Sequence, residues 1–166
     1  MRRHDGARLG EDFLVETDIT MDNNPGTIEL HIPSRLGYEK IAMNTAASAA
    51  RIMGFTDERI EDLKTAVAEA CINAMEHGNK LDESLSVGLV LSMNADSLEV
   101  KVVDTGAGAP GHGITPDIDK KMHEEEKARG MGMFLIQALV DEAEWVSSPR
   151  TGSYARMVIH LHHTGE

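Results

Sequence analysis

The chain has 166 residues, one cysteine, ten methionines and a formal charge of −12 at neutral pH. That length suits a single domain with a real core, and the acidic balance argues against a nucleic-acid surface, which needs basic stripes to displace counterions. The lone Cys71 excludes an intrachain disulfide and suits a reducing, cytoplasmic setting. No apolar run reaches membrane-spanning length, and Met1-Arg2-Arg3 leads into His4-Asp5-Gly6 rather than the apolar stretch of a signal peptide.

Residues 1–26 read as a polar lead-in ending in the turn Asn23-Asn24-Pro25-Gly26, with the domain proper at 27–166. Ile28, Leu30 and Ile32 alternate with polar neighbours, which predicts a half-buried strand closed by Pro33-Ser34. A helix over about 35–53 follows, with Ile41, Thr45, Ala49 and Ile52 or Met53 inward and Gly54 as its stop. Thr56 or Asp57 caps a second helix predicted to run to His77, its apolar face at Ile60, Leu63, Val67, Ala70 and Ala74. Beside that face stand Glu69, Asn73 and His77. At about 100° per residue they form a stripe roughly 80° wide, at the edge of the core where a cleft would lie. A carboxylate one turn from an amide oxygen suits a base beside a ligand for a hard cation such as Mg2+; the plainer reading is a charged helix shoulder capped by Gly78.

Leu85, Val87, Leu89, Leu91 and Met93 alternate strictly, Asn94-Ala95-Asp96 turns the chain, and Leu98, Val100 and Val102 return as the second arm of a hairpin. Asp104 shares their parity and so points to the apolar side, where a carboxylate needs a donor. The glycine-rich run from Thr105 to Gly111 follows, and the donor is either the exocyclic amine of a purine or the backbone of an Asx-type turn. From Pro110 to Arg129 no periodicity survives, which predicts a long surface loop or lid; its Glu124-Glu125-Glu126 reads as a solvated run. Arg129-Gly130-Met131-Gly132-Met133 then opens an apolar helix over 134–140, and glycines at a helix start would expose N–H groups to a phosphate. Trp145 and Val146 begin a strand, Gly152-Ser153 marks a turn, and Met157, Ile159 and Leu161 form the last strand. His160 and His162 share a face there, two ligands where a closed zinc site wants about four.

Taken in order, Glu69 to His77-Gly78, then Asp104-Thr105-Gly106-Ala107-Gly108, then Gly130-Met131-Gly132-Met133 resemble the N, G1 and G2 boxes of the GHKL (Bergerat-fold) ATPase superfamily, which includes gyrase, Hsp90, histidine kinases and MutL. The stretch from Arg129 through Val140-Asp141-Glu142 to the Gly152 turn is most similar to bacterial anti-sigma factor serine/threonine kinases of the RsbW and SpoIIAB type. The resemblance spans about residues 27–162, and it departs from relatives mildly at Gly152-Ser153, where Gly-Thr is commoner.

The resemblance implies an α/β two-layer sandwich: a mixed sheet covered on one face by helices, with ATP or ADP between helices and lid. It implies that Asn73 holds Mg2+ and that Glu69 takes the proton from a serine or threonine hydroxyl. It also implies that Asp104 accepts from the adenine amine, with Gly106 and Gly108 letting the ring pack, and that Gly130, Met131, Gly132 and Met133 cradle phosphates while Arg129 meets the terminal one. His77 either contacts the nucleotide or terminates the helix, the second being favoured; Asn79 and Lys80 either line the phosphate or ribose edge or form a solvated helix exit. The implied partners are a STAS-type anti-sigma factor antagonist as phosphoacceptor and a sigma factor as sequestered target, with homodimerisation suggested by relatives and neither nucleic acid nor membrane bound directly. Two other readings stay open: a nucleotide-binding regulatory module without phosphoryl transfer, and a histidine-kinase-type catalytic domain.

Overall fold

The computed structural model describes residues 26–105, 124–148 and 152–162. Within them the order is β1 (Thr27–Pro33), α1 (Glu39–Met53), α2 (Asp57–Asn73), a π-turn (Ala74–Gly78), β2 (Ser86–Met93), β3 (Ser97–Asp104), α3 (Glu124–Leu139), β4 (Glu142–Ser148) and β5 (Gly152–His160). The five strands make one sheet in the order β1-β2-β3-β5-β4. The expected two-layer sandwich is present, but the sheet is antiparallel at every pairing and not mixed. The reason lies in the connections. Two helices between β1 and β2 bring the chain back reversed, and β5 inserts itself between β3 and β4, so those two parallel strands never touch.

The sheet's inner face carries Ile32, Val87, Leu89, Leu91, Leu98, Val100, Val102, Met157 and Ile159, all buried with the helices in one core. Period-two alternation places them there, as expected of a sheet with one covered face. The hairpin joins Met93 opposite Leu98, and Asn94 N–H closes its turn on Ser97 O at 2.9 Å. Thr56 caps α2, its hydroxyl accepting from Arg59 N–H at 3.3 Å, and Gly54 ends α1 at φ 90°, a left-handed conformation natural to glycine.

Helix α1 differs from its sequence reading. It begins at Glu39, after a turn in which Tyr38 N–H meets Arg35 O, and it buries Ala42, Ala46, Ala47, Ala49 and Ala50. Ala49 is buried and Met53 packs on the core as expected, but Ile41 is 48% exposed and Ile52, the alternative to Met53, is 82% exposed. The buried face is a row of alanines, small side chains that let packed helices approach closely, and the larger hydrophobes fall one step round the helix. On α2 the expected face of Ile60, Leu63, Val67, Ala70 and Ala74 is buried, joined by Ala66 and Cys71. The helix does not run unbroken to His77: it ends at Asn73 and passes into the π-turn, where Asn79 N–H reaches back five residues to Ala74 O at 2.8 Å.

Helix α3 begins at Glu124, ten residues before the expected apolar helix at 134, so residues 124–129 belong to a helix and not to the loop. Glutamate, lysine and alanine are good helix formers, and glutamates suit a first helical turn. Arg59 fastens the other end of α3: its guanidinium donates to Leu139 O at 3.1 Å and to Asp141 Oδ2 at 2.9 Å. That carboxylate oxygen also accepts from His160 N–H at 2.7 Å, so α2, α3 and β5 meet at one ion pair.

Candidate active site

Three elements bring the predicted residues together. Helix α2 presents Glu69 and Asn73, both half-buried, on the side facing α3. Helix α3 lays Gly132 directly over them: a β-carbon there would stand 3.0 Å from Glu69 Oε2 and 3.4 Å from Asn73 Nδ2. A side chain there would push the Glu69 carboxylate or the Asn73 amide aside. Strand β3 supplies Asp104, 7% exposed, at the far end of the same segment. There Gly78 closes the π-turn against it, and a β-carbon on Gly78 would lie 2.5 Å from Asp104 Oδ2. Gly152 does the same on the other side, for its β-carbon would strike the Asp104 carbonyl oxygen.

The groove between α2 and α3 opens beside Glu69 as a cleft of about 640 Å³, lined also by Lys127, Gly130, Met131, Gly132, Phe134 and Leu135. Met131 and Phe134 are 69% and 73% exposed on its rim. The Asn73 amide nitrogen is buried and meets no hydrogen-bond partner among the described residues. A buried amide left unsatisfied carries a free-energy cost that a ligand would relieve. Since a flip of the carboxamide exchanges nitrogen for oxygen, Asn73 fits the role of a magnesium ligand facing phosphate oxygens, with Glu69 one turn away.

Some expected roles change. The π-turn takes His77 out of the four-residue step with Glu69 and Asn73; it lies half-buried, Nε2 4.0 Å from Glu76 Oε2. Gly130, Met131, Gly132 and Met133 stand in the second and third turns of α3, so their N–H groups are not those of a helix start. Of the expected phosphate cradle, what is present here is the close approach of Gly132; Arg129 is half-buried on the same helix. Gly106, Gly108 and the lid up to residue 123 lie outside the described residues. Asn79, read as an edge residue or a solvated exit, is 2% exposed and fully engaged with protein. His160, half of the pair weighed for zinc, turns to Glu142 instead, its Nε2 3.2 Å from Oε1. Burial pushes the Cys71 thiol up to about 12, which leaves it inert beside the site.

Sequence reasoning missed the work of Gly78, taken for a helix cap, and the lining by Lys127 and Phe134. The glycine was visible as His77-Gly78-Asn79, but nothing local showed that a carboxylate from a strand 26 residues later would press on it.

Residues 32–159 match the histidine kinase-like ATPase domain. The serine-protein kinase RsbW of Bacillus subtilis (strain 168) is 34% identical over 126 residues, covering 74% of this chain and 79% of that kinase. The chain belongs to this family. The RsbW kinase of Oceanobacillus iheyensis is 35% identical over 126 residues, with 80% of its length covered. Among solved structures, the RsbU and RsbW domains of Rv1364c from Mycobacterium tuberculosis share the fold at a TM-score of 0.58 and 18% identity, over 84% of this chain and 34% of that one. The matched span contains all three segments described above: Glu69 to Gly78, Asp104, and Gly130 to Met133.

Proposed function

We propose that this chain binds Mg-ATP along the groove from Asp104 to Gly132 and transfers its terminal phosphoryl group to a serine or threonine hydroxyl of a STAS-type anti-sigma factor antagonist. Membership in the RsbW family supports ATP-dependent serine/threonine kinase activity. The observation that carries the site assignment is the contact of Gly132 with both Glu69 and Asn73. It sets a helix backbone without a side chain beside a carboxylate and an unsatisfied amide, at the edge of the cleft.

In this reading the acceptor hydroxyl attacks the γ-phosphorus. A new P–O bond forms, the bond to the β–γ bridging oxygen breaks, ADP leaves, and the hydroxyl proton passes to the Glu69 carboxylate. Asn73 would hold magnesium, which when bound would neutralise phosphate charge. Asp104 accepts from the adenine amine, while Gly78 lets that carboxylate sit against the turn. Arg129 is assigned to the terminal phosphate. Gly130, Met131, Gly132 and Met133 cradle the phosphates once the first turns of α3 loosen. Sequestration of a sigma factor, homodimerisation and a cytoplasmic setting complete the proposal; no helix among the described residues is long and apolar enough to cross a membrane.

The test is transfer from labelled ATP to a candidate STAS protein by native chain, Glu69→Ala and Asn73→Ala. Loss of transfer with nucleotide binding kept in Glu69→Ala supports the base assignment; equal transfer by native and Glu69→Ala protein removes it.

A further inference from the structure

Asn79 follows the π-turn and is one of few buried polar side chains among the described residues, 2% exposed. Its Nδ2 donates to Ser34 Oγ at 2.6 Å and to Ser86 O at 2.9 Å. Its Oδ1 accepts from Thr105 N–H at 3.2 Å. These partners fix the carboxamide's orientation, since a flip would set a donor against the Thr105 N–H and an acceptor against the Ser86 carbonyl. One side chain thus joins the end of β1, the start of β2 and the residue after β3. The anchor is firm: Ser34 is 1% exposed and its own N–H donates to Leu85 O at 3.1 Å. Thr105 is held a second time, its hydroxyl donating to the same Ser86 carbonyl at 3.2 Å.

The residue before Thr105 is Asp104, and the residue before Asn79 is Gly78, whose backbone lies against the Asp104 carboxylate. Two consecutive positions therefore grip the end of β3, Gly78 by leaving space and Asn79 by holding the next peptide. Neither contact reaches the phosphate end of the groove, where Glu69 and Asn73 stand nine and five residues before Gly78.

We infer that Asn79 is a positioning residue for base recognition: through Thr105 it sets the Asp104 carboxylate where it discriminates a 6-aminopurine from a purine lacking that amine. The inference rests on Asp104 being the acceptor for the adenine amine. A side chain that merely filled the turn would change stability and leave base discrimination alone, so discrimination is the quantity to read.

The experiment measures, by calorimetry on the full chain with Mg2+, the affinities of ATP and of purine riboside 5′-triphosphate, which has no exocyclic amine. Native protein is expected to prefer ATP by about tenfold or more, the worth of a hydrogen bond to a buried carboxylate. Asn79→Ala is expected to fall to within about threefold, a partly lost hydrogen bond, with the affinity for purine riboside triphosphate unchanged. Ser34→Ala removes one anchor and leaves Asn79 in place; it is expected to lower the preference by about threefold and serves where Asn79→Ala does not fold. Full ATP preference in Asn79→Ala, or in Ser34→Ala where the first variant does not fold, overturns the inference and leaves Asp104 standing. Absence of any preference in native protein overturns the Asp104 assignment first, and the role of Asn79 with it.

Discussion

Gly132 of α3 and Glu69 of α2 stand so close that a β-carbon on the glycine would come within 3.0 Å of the carboxylate. That distance is below nearly all real side-chain contacts, so a methyl group there would push the carboxylate aside. Gly132→Ala is expected to fold, since the strained neighbour is a movable side chain, and to lose about tenfold to a hundredfold in phosphoryl transfer through a displaced base. Melting temperature and transfer rate, measured together, separate the two effects.

Gly130 sits two residues earlier with nothing within 4 Å of its would-be β-carbon. Gly130→Ala is therefore expected to stabilise α3, by about 1 kcal/mol on helix propensity. If the phosphate cradle forms by loosening the first turns of α3, the same substitution weakens nucleotide binding by about fivefold. A higher melting temperature with unchanged ATP affinity would show that α3 stays wound when nucleotide binds.

Asn73→Ala is expected to weaken Mg-ATP binding at least about tenfold, since even residues that only support a metal ligand are worth that much. Glu69→Gln keeps size and loses the base, and is expected to bind ATP as native protein does while transfer falls about a hundredfold or more. Calorimetry with Mg-ATP and Mg-ADP checks the first; a single-turnover assay checks the second.

Arg59 joins α2 to the end of α3 and, through Asp141, to β5. Its side chain is 23% exposed, which reduces screening. Arg59→Ala is expected to cost about 1–3 kcal/mol in denaturant unfolding, because a carbonyl and a carboxylate both lose a charged donor. Arg59→Lys, with one donor point in place of a fork, is expected to fall between.

Two titrations complete the set. The Glu142 carboxyl is held below its ordinary value by hydrogen bonding first to His160 and then to Arg156. A lowered native value means its stabilising contribution is present above the ordinary carboxylate range and fades as pH falls through the native value. Native protein and Glu142→Gln should therefore converge in stability in acid and diverge near neutral pH. With its thiol raised to about 12, Cys71 is expected to resist alkylation at neutral pH and to react once the protein is unfolded.

The elements whose side chains repeat regularly were legible in the sequence. The alternation through Leu89, Leu91, Val100 and Val102 predicted the hairpin, and its parity predicted that Asp104 turns inward. The inward face of α1 was only partly read: Ala49 and Met53 face in, but the rest of the buried row is alanine, weak in any hydrophobicity count, and Ile41 and Ile52 face out. The π-turn left no local signature, since reaching back five residues instead of four depends on what the loop beyond must meet. For the same reason Asn79 looked like a solvent residue: its partners Ser34, Ser86 and Thr105 are scattered along the chain and converge only in the fold.

The π-turn at Ala74–Gly78 works as a phase shifter. Upstream of it, Glu69 and Asn73 keep time with the helix; downstream, Gly78 and Asn79 keep time with the sheet. Wound as an ordinary α-helix, the same residues would carry Gly78 further round the axis and away from Asp104. The groove's two ends would then be keyed to different ligand orientations, although every side chain named above would still be there.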